Sequence, residues 1–278
     1  MSDSLRKSYV VGRYYFTTLF KQLAEESFLG DIAQKPYFEE GNFEYALGDF
    51  TSEEIAGVIL SRGTFGRVRK GQLADIYDHD KKEFKKQALP ELVDKKIEFI
   101  IDHKSHLVFI EEDNLLNPKI FLGKFKKIYQ RSSSRAEFEI DFIVEEKDVY
   151  ETIKKWQMVK TISFTGLRPS NPSSLDDFAE IEAMLKETQS ARTNIEFYSP
   201  QVDNKEGLNY ESKLIKQSLA LSSHGYGNAR IEGEFNGEKK KLETNSFVRR
   251  VTIDFTKDGA LNKIVQEIID INKDEKNG

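Results

Sequence analysis

Residues 161–186 read TISFTGLRPSNPSSLDDFAEIEAMLK. Ile162 and Phe164 alternate with Ser163 and Thr165, the two-residue period of a half-buried strand. Arg168-Pro169 and Asn171-Pro172 then end the ladder, because proline offers no N–H and restrains the residue before it. Ser174 followed by Asp177 reads as a capping box, and Leu175, Phe178, Ile181 and Leu185 fall on one side of the helix it opens. A strand, a sharp corner and a helix folded back on the strand make an α+β unit. The stretch contains no set of catalytic residues.

The same kind of reading extends to both termini. Residues 7–16 read as a strand, 17–28 as a short helix, 43–47 as a strand, and 55–68 as a long strand bent at Gly63 and Gly66. The polar segment 72–89 reads as an exposed excursion or loop. Residues 96–111 read as a hairpin around Asp-His-Lys-Ser, and Asn117-Pro118 opens a helix through Tyr129. In the second half, strands are expected at 138–144, 195–198 and 247–255, and helices at 148–156, 210–221 and 259–271. A hairpin over 229–244 turns at Asn236-Gly237. The expected fold class is α+β, with mixed or antiparallel sheets, packed helices and two sub-domains. Ser132-Ser133-Ser134 marks the expected boundary, giving an N-terminal domain over 1–132 and a C-terminal domain over 133–278.

The composition excludes several kinds of chemistry. With no cysteine there is no disulfide, thiolate metal site or thiol nucleophile. A formal net charge of -5 argues against indiscriminate coating of nucleic acid or anionic membrane, while leaving room for a local basic surface. The first residues contain no apolar run of membrane-spanning length, so the expected location is the cytoplasm, without membrane insertion. Ser61–Val68 resembles part of a kinase glycine loop, but no V-A-I-K lysine or H-R-D loop follows. His103 and His106 beside Asp102, and His79 between Asp78 and Asp80, read as polar turns, so no metal site and no cofactor are assigned.

Two basic clusters remain. Arg62, Arg67, Arg69 and Lys70 crowd the glycine-bent strand, where a bulge would free backbone N–H groups for a phosphodiester. Lys124, Lys127 and Arg131 share one side of the 117–129 helix and its end with no acidic partner inside the helix, and Arg135 lies just beyond. Lys239-Lys240-Lys241 is read differently. With the turn at Asn236-Gly237, Glu234 faces Lys239, Glu232 faces Lys241 and Arg230 faces Glu243, so this face neutralises itself.

A family resemblance covers most of the chain. It rests on the segments Thr-Leu-Phe-Lys-Gln-Leu and Gly-Thr-Phe-Gly-Arg, the hairpin Ile-Glu-Phe-Ile-Ile-Asp-His-Lys-Ser-His-Leu-Val-Phe-Ile, and the Arg168-Pro169-x-Asn171-Pro172 corner. Together these resemble a family of uncharacterised proteins carried by phages, prophages and defence islands, and more loosely the phage-exclusion protein RexA. The resemblance implies a two-part α+β protein of anti-phage defence, a homodimer that contacts DNA, with a second defence protein as a possible partner. The leading expectation is a non-enzymatic DNA-binding sensor or effector. It would grip the phosphate backbone through Arg62, Arg67, Arg69, Lys70, Lys124, Lys127, Arg131 and Arg135. The alternatives are a metal-dependent nuclease or toxin using Asp102, and a protein-interaction subunit of a defence complex.

Overall fold

The structure, a computed structural model, describes residues 6–16, 28, 30–34, 36–71, 73–78, 82–88, 92–132, 138–170, 179–199, 207–255 and 259–277. In chain order the strands of the first half are β1 (Arg6–Phe16), β2 (Tyr37–Glu40), β3 (Phe43–Ile55), β4 (Val58–Arg69), β5 (Leu73–Asp78), β6 (Glu83–Ala88), β7 (Leu92–Asp102) and β8 (Leu107–Glu111). Helix α1 (Pro118–Ser132) follows, then β9 (Phe138–Phe142), α2 (Glu146–Ile153), β10 (Met158–Leu167), α3 (Ala179–Glu187) and β11 (Thr193–Tyr198). The chain continues through α4 (Lys213–Ser223), β12 (Asn228–Phe235), β13 (Glu238–Glu243), β14 (Arg250–Asp254) and α5 (Ala260–Asn277).

These elements form an α+β fold on two antiparallel sheets. The larger runs β14-β1-β8-β7-β4-β3-β2, and β9 continues the line of β14 along β1. The smaller runs β11-β10-β12-β13, while β5 and β6 pair only with each other. Both faces of the large sheet are covered. On one face Val10, Tyr14, Phe65, Phe99 and Val108 pack against Phe121, Phe125, Ile128 and Tyr129 of α1. On the other, Tyr9, Val11, Ile100 and Phe109 pack against Ile264, Val265, Ile268 and Ile271 of α5. Each such side chain contributes about 1.5–3 kcal/mol when fully buried, so α1 and α5 are fixed by their apolar sides. The small sheet is covered on one face by α2, α3 and α4. No helix among the described residues is long and apolar enough to cross a membrane.

Several sequence expectations meet a different structure. The expected 1–132 and 133–278 division is crossed by strand pairing: β1 takes β9 and β14 as neighbours, and α5 covers its sheet. The polar run after Lys70 forms the β5–β6 hairpin. β3 extends to Ile55, because Ala56 (φ 51°) and Gly57 (φ 80°) make a two-residue turn into β4. β4 is not bulged at its glycines. Gly66 pairs with both Ala46 and Lys96 and Gly63 with Phe99, while the register shifts lie on the partner strands, on β3 between Gly48 and Thr51 opposite Gly63 and on β7 between Val93 and Lys95. The helix expected over 17–28 and the Asn171-Pro172 corner with its capping box lie outside the described residues, apart from Phe28. The 229–244 hairpin has the expected register, with Glu234 opposite Lys239, Glu232 opposite Lys241 and Arg230 opposite Glu243.

Candidate nucleic-acid interface

Alternation along β4 divides the first basic cluster. Phe65, Arg67 and Arg69 point to the α1 side, and Leu60 and Arg62 to the α5 side. Arg62 donates to Glu98 and Glu53, and Glu98 also accepts from Tyr9 and Lys7. Lys70 reaches Glu39, which by alternation on β2 faces away from Phe38 and Glu40. Arg62 is therefore separated from the rest by the sheet itself, whereas Lys70 and Arg131 both lower the pKa of Glu39 at the β2 edge. Gly66 is paired on both sides, so no phosphodiester cradle forms there, and Gly63 pairs with Phe99 of β7 but falls opposite the β3 register shift. Arg135 lies outside the described residues.

The remaining five cations gather around the β2–β3 hairpin. Helix α1 buries Phe121, Phe125 and Ile128, which turns Lys124, Lys127 and Arg131 toward β2. Lys124 lies 4.8 Å over the Tyr45 ring and Lys127 4.8 Å over Phe38, and both donate to Glu40. The Arg131 guanidinium lies 4.6 Å over Tyr37 and donates to that residue's carbonyl at 3.2 Å. From the β4 side, Arg67 lies 4.6 Å over Phe43, and Arg67 and Arg69 share Asp94 at 3.1 and 3.4 Å. Tyr45 pairs with Arg67, and Phe43 with both Glu40 and Arg69, so this is one continuous surface. Among the described residues, Arg67 and Arg69 share Asp94, Lys124 and Lys127 share Glu40, and Arg131 also acts on Glu39. Hydrogen bonds from Lys124 and Lys127 hold Glu40 below the usual carboxylate range, so it stays charged.

Sequence reading missed the aromatic platform and its two acids. The signal was present in Tyr37-Phe38-Glu39-Glu40-Gly41-Asn42-Phe43-Glu44-Tyr45, a hairpin pattern around Gly41 (φ 60°). Asp94 reaches the surface only through the β4–β7 pairing.

Asp102, the residue on which the nuclease alternative depends, accepts the backbone N–H groups of Lys104 and Ser105 and is buried. Among the described residues, no three His, Asp or Glu side chains converge to hold a metal ion. Ser61 Oγ lies 2.9 Å from both His103 Nε2 and Ser52 Oγ, a hydroxyl chain that the sequence did not announce. Burial lowers the His103 pKa against the opposing charge of Asp102.

The family model of a domain of unknown function, DUF4747, matches residues 12–270. The chain belongs to this family. The DUF4747 match runs from Gly12 in β1 to Asp270 in α5, so it takes in both sheets and the α1–hairpin surface. No curated protein matches the chain.

Proposed function

We propose that this protein binds nucleic acid through the surface formed by α1 and the β2–β3 hairpin, in the cytoplasm and in the anti-phage setting that its resemblance implies. The supporting observation is the ratio of charges among the described residues: Arg67 and Arg69 share Asp94, Lys124 and Lys127 share Glu40, and Arg131 donates to the Tyr37 carbonyl and lies near Glu39. The Lys127–Glu40 pair is exposed at both ends, and such pairs contribute at most about 1 kcal/mol, so a phosphate backbone can take Lys127 from Glu40. The cations are also held in place by Tyr37, Phe38, Phe43 and Tyr45, which lowers the ordering cost of meeting a polyanion. The contacts are of the kind that track phosphates, so base readout is slight.

Fluorescence anisotropy with labelled single- and double-stranded DNA over a salt series tests this reading. With five phosphate contacts, the logarithm of affinity falls against that of salt with a slope of about 4–5 on duplex. Lys127→Glu with Arg131→Glu weakens binding and flattens that slope by about two. Glu40→Gln removes the internal competitor and tightens binding. Arg62→Glu, on the reverse side, leaves affinity nearly unchanged. Affinity indifferent to the Lys127 and Arg131 reversals at low salt overturns the assignment. The defence setting is tested separately by phage plating efficiency on cells that express the chain, with unchanged plating counting against it.

A further inference from the structure

Two serines and a histidine form a chain at the end of β4 away from Arg67 and Arg69. Ser52 of β3 pairs with Ser61 of β4, and their Oγ atoms lie 2.9 Å apart. Ser61 Oγ in turn lies 2.9 Å from Nε2 of His103, in the turn that follows β7. Ser61 is buried, His103 is half-buried with its ring T-shaped against Phe28 at 6.3 Å, and Ser52 is exposed. The chain therefore leads from a shielded base to one hydroxyl that a ligand can reach. A hydroxyl has one proton to donate and lone pairs to accept with, so Ser61 can take a proton from Ser52 as it passes its own to the imidazole. Burial lowers the His103 pKa against the opposing charge of Asp102, so the ring is neutral at pH 7 and has a lone pair for that proton.

The neighbours of Ser52 narrow what it would attack. The register shift between Gly48 and Thr51 takes Asp49 and Phe50 out of the β3–β4 ladder just ahead of it. Phe50 is 37% exposed, with its ring against Phe99. On the other side of Ser52, Ile59 lies two residues before Ser61, hence on the same face, and is 60% exposed. Apolar side chains flanking an exposed hydroxyl suit a substrate with an apolar acyl group, and Glu54, opposite Ile59, disfavours an anionic one. We propose that Ser52 is a nucleophile toward neutral carboxylic esters with a short apolar acyl chain, with Ser61 and His103 positioned to carry its proton. In the attack the bond from Ser52 Oγ to the carbonyl carbon forms, the Ser52 proton moves to Ser61, and the Ser61 proton moves to His103 Nε2. That proton returns through Ser61 to the leaving alkoxide as the ester C–O bond breaks. A water then attacks the acyl carbon, its proton passing through Ser61 to His103, and Ser52 Oγ leaves with the proton given back along the same chain.

The full chain is treated with an alkyl fluorophosphonate, whose P–F bond a reactive serine oxygen displaces with loss of fluoride, and separately with p-nitrophenyl butyrate. A single phosphonyl adduct per chain is expected, at Ser52 by peptide mass spectrometry, together with p-nitrophenolate release above the buffer rate. Ser52→Ala, at an exposed position, abolishes both. His103→Gln keeps a hydrogen-bonding group beside Ser61 but no base, and slows both about 100-fold. Imidazole added to His103→Gly restores part of the rate, which a ring that only fills space would not require. The wild-type and Ser52→Ala measurements decide the matter even where a His103 variant fails to fold. No adduct on the wild type, an adduct at another serine, His103→Gln reacting as fast as wild type, or no recovery with imidazole in a folded His103→Gly each overturns the proposal.

Discussion

The guanidinium of Arg168 donates to Asp141 of β9 and to the carbonyls of Gly166 and Gly225, with its side chain only 6% exposed. Asp141 also accepts from Asn228 of β12, so one carboxylate on the large sheet is held by a residue of the small sheet and by the residue that follows its strand β10. Removing one partner of a shielded ion pair strands the other. Arg168→Ala is expected to cost about 3 kcal/mol in urea denaturation, and Arg168→Lys recovers little because an ammonium lacks the planar fork. Glu98 gives a residue-scale pH dependence. Burial pushes its pKa up, but bonds from Tyr9 and Arg62 and the charge of Lys7 outweigh this and hold it below the usual range. A depressed carboxylate stabilises the fold above its unfolded value of about 4.3, and that contribution is lost as pH falls through the folded value. The stability gap between wild type and Glu98→Gln, about 1–3 kcal/mol at neutral pH, therefore closes as acid is added. A constant gap from pH 7 to pH 3 would contradict this.

Within β4 the two glycines have different roles. A Cβ on Gly63 would lie 2.5 Å from Phe99 Cζ and 3.2 Å from Phe50, whereas one on Gly66 finds its nearest atom at 3.6 Å. Gly63 therefore makes room for the rings beside the β3 register shift, and Gly66 is an ordinary strand residue. Gly63→Ala is expected to lose about 1–3 kcal/mol of stability by thermal or urea unfolding, and Gly66→Ala less than about 0.5 kcal/mol. Helix α1 shows how much of an element sequence can specify. Its apolar spacing places Phe121, Phe125 and Ile128 inward, as the sequence predicts. That Lys124 and Lys127 would meet an acid from β2 was not legible, because Glu40 is 84 residues from Lys124 along the chain.

At the scale of the molecule, β1 is the shared member. It pairs with β8 on one side and with β14 and then β9 on the other, so segments from both halves meet along eleven residues. The backbone bonds Val144 to Ser223 and Glu145 to Phe247 tie α2 and its sheet to the same seam. A chain ending at Ser132 keeps β8 but loses β9, β14 and the α5 cover over Tyr9, Val11 and Phe109. Such a fragment is expected to lack a cooperative unfolding transition and to show little protection in hydrogen exchange. A fragment that melts cooperatively with native-like protection would restore the division at the serine tract. The fold class needed only local periods, whereas the division needed long-range pairing, and a run of serines carries no information about which strand β1 will meet.

The sequence by itself determined the α+β class, most of the strands and helices among the described residues, the register of the β12–β13 hairpin and the inward side of α1. These follow from short-range periodicity, proline and glycine punctuation and turn chemistry, which act within a few residues. Only the tertiary structure decided that Arg62 lies behind the sheet while five other cations gather around the β2–β3 hairpin. It also placed Glu40 and Asp94 among those cations and Arg168 at the seam. Each of those outcomes depends on which distant strand supplies the neighbour, and charges meet by position in space rather than by order along the chain.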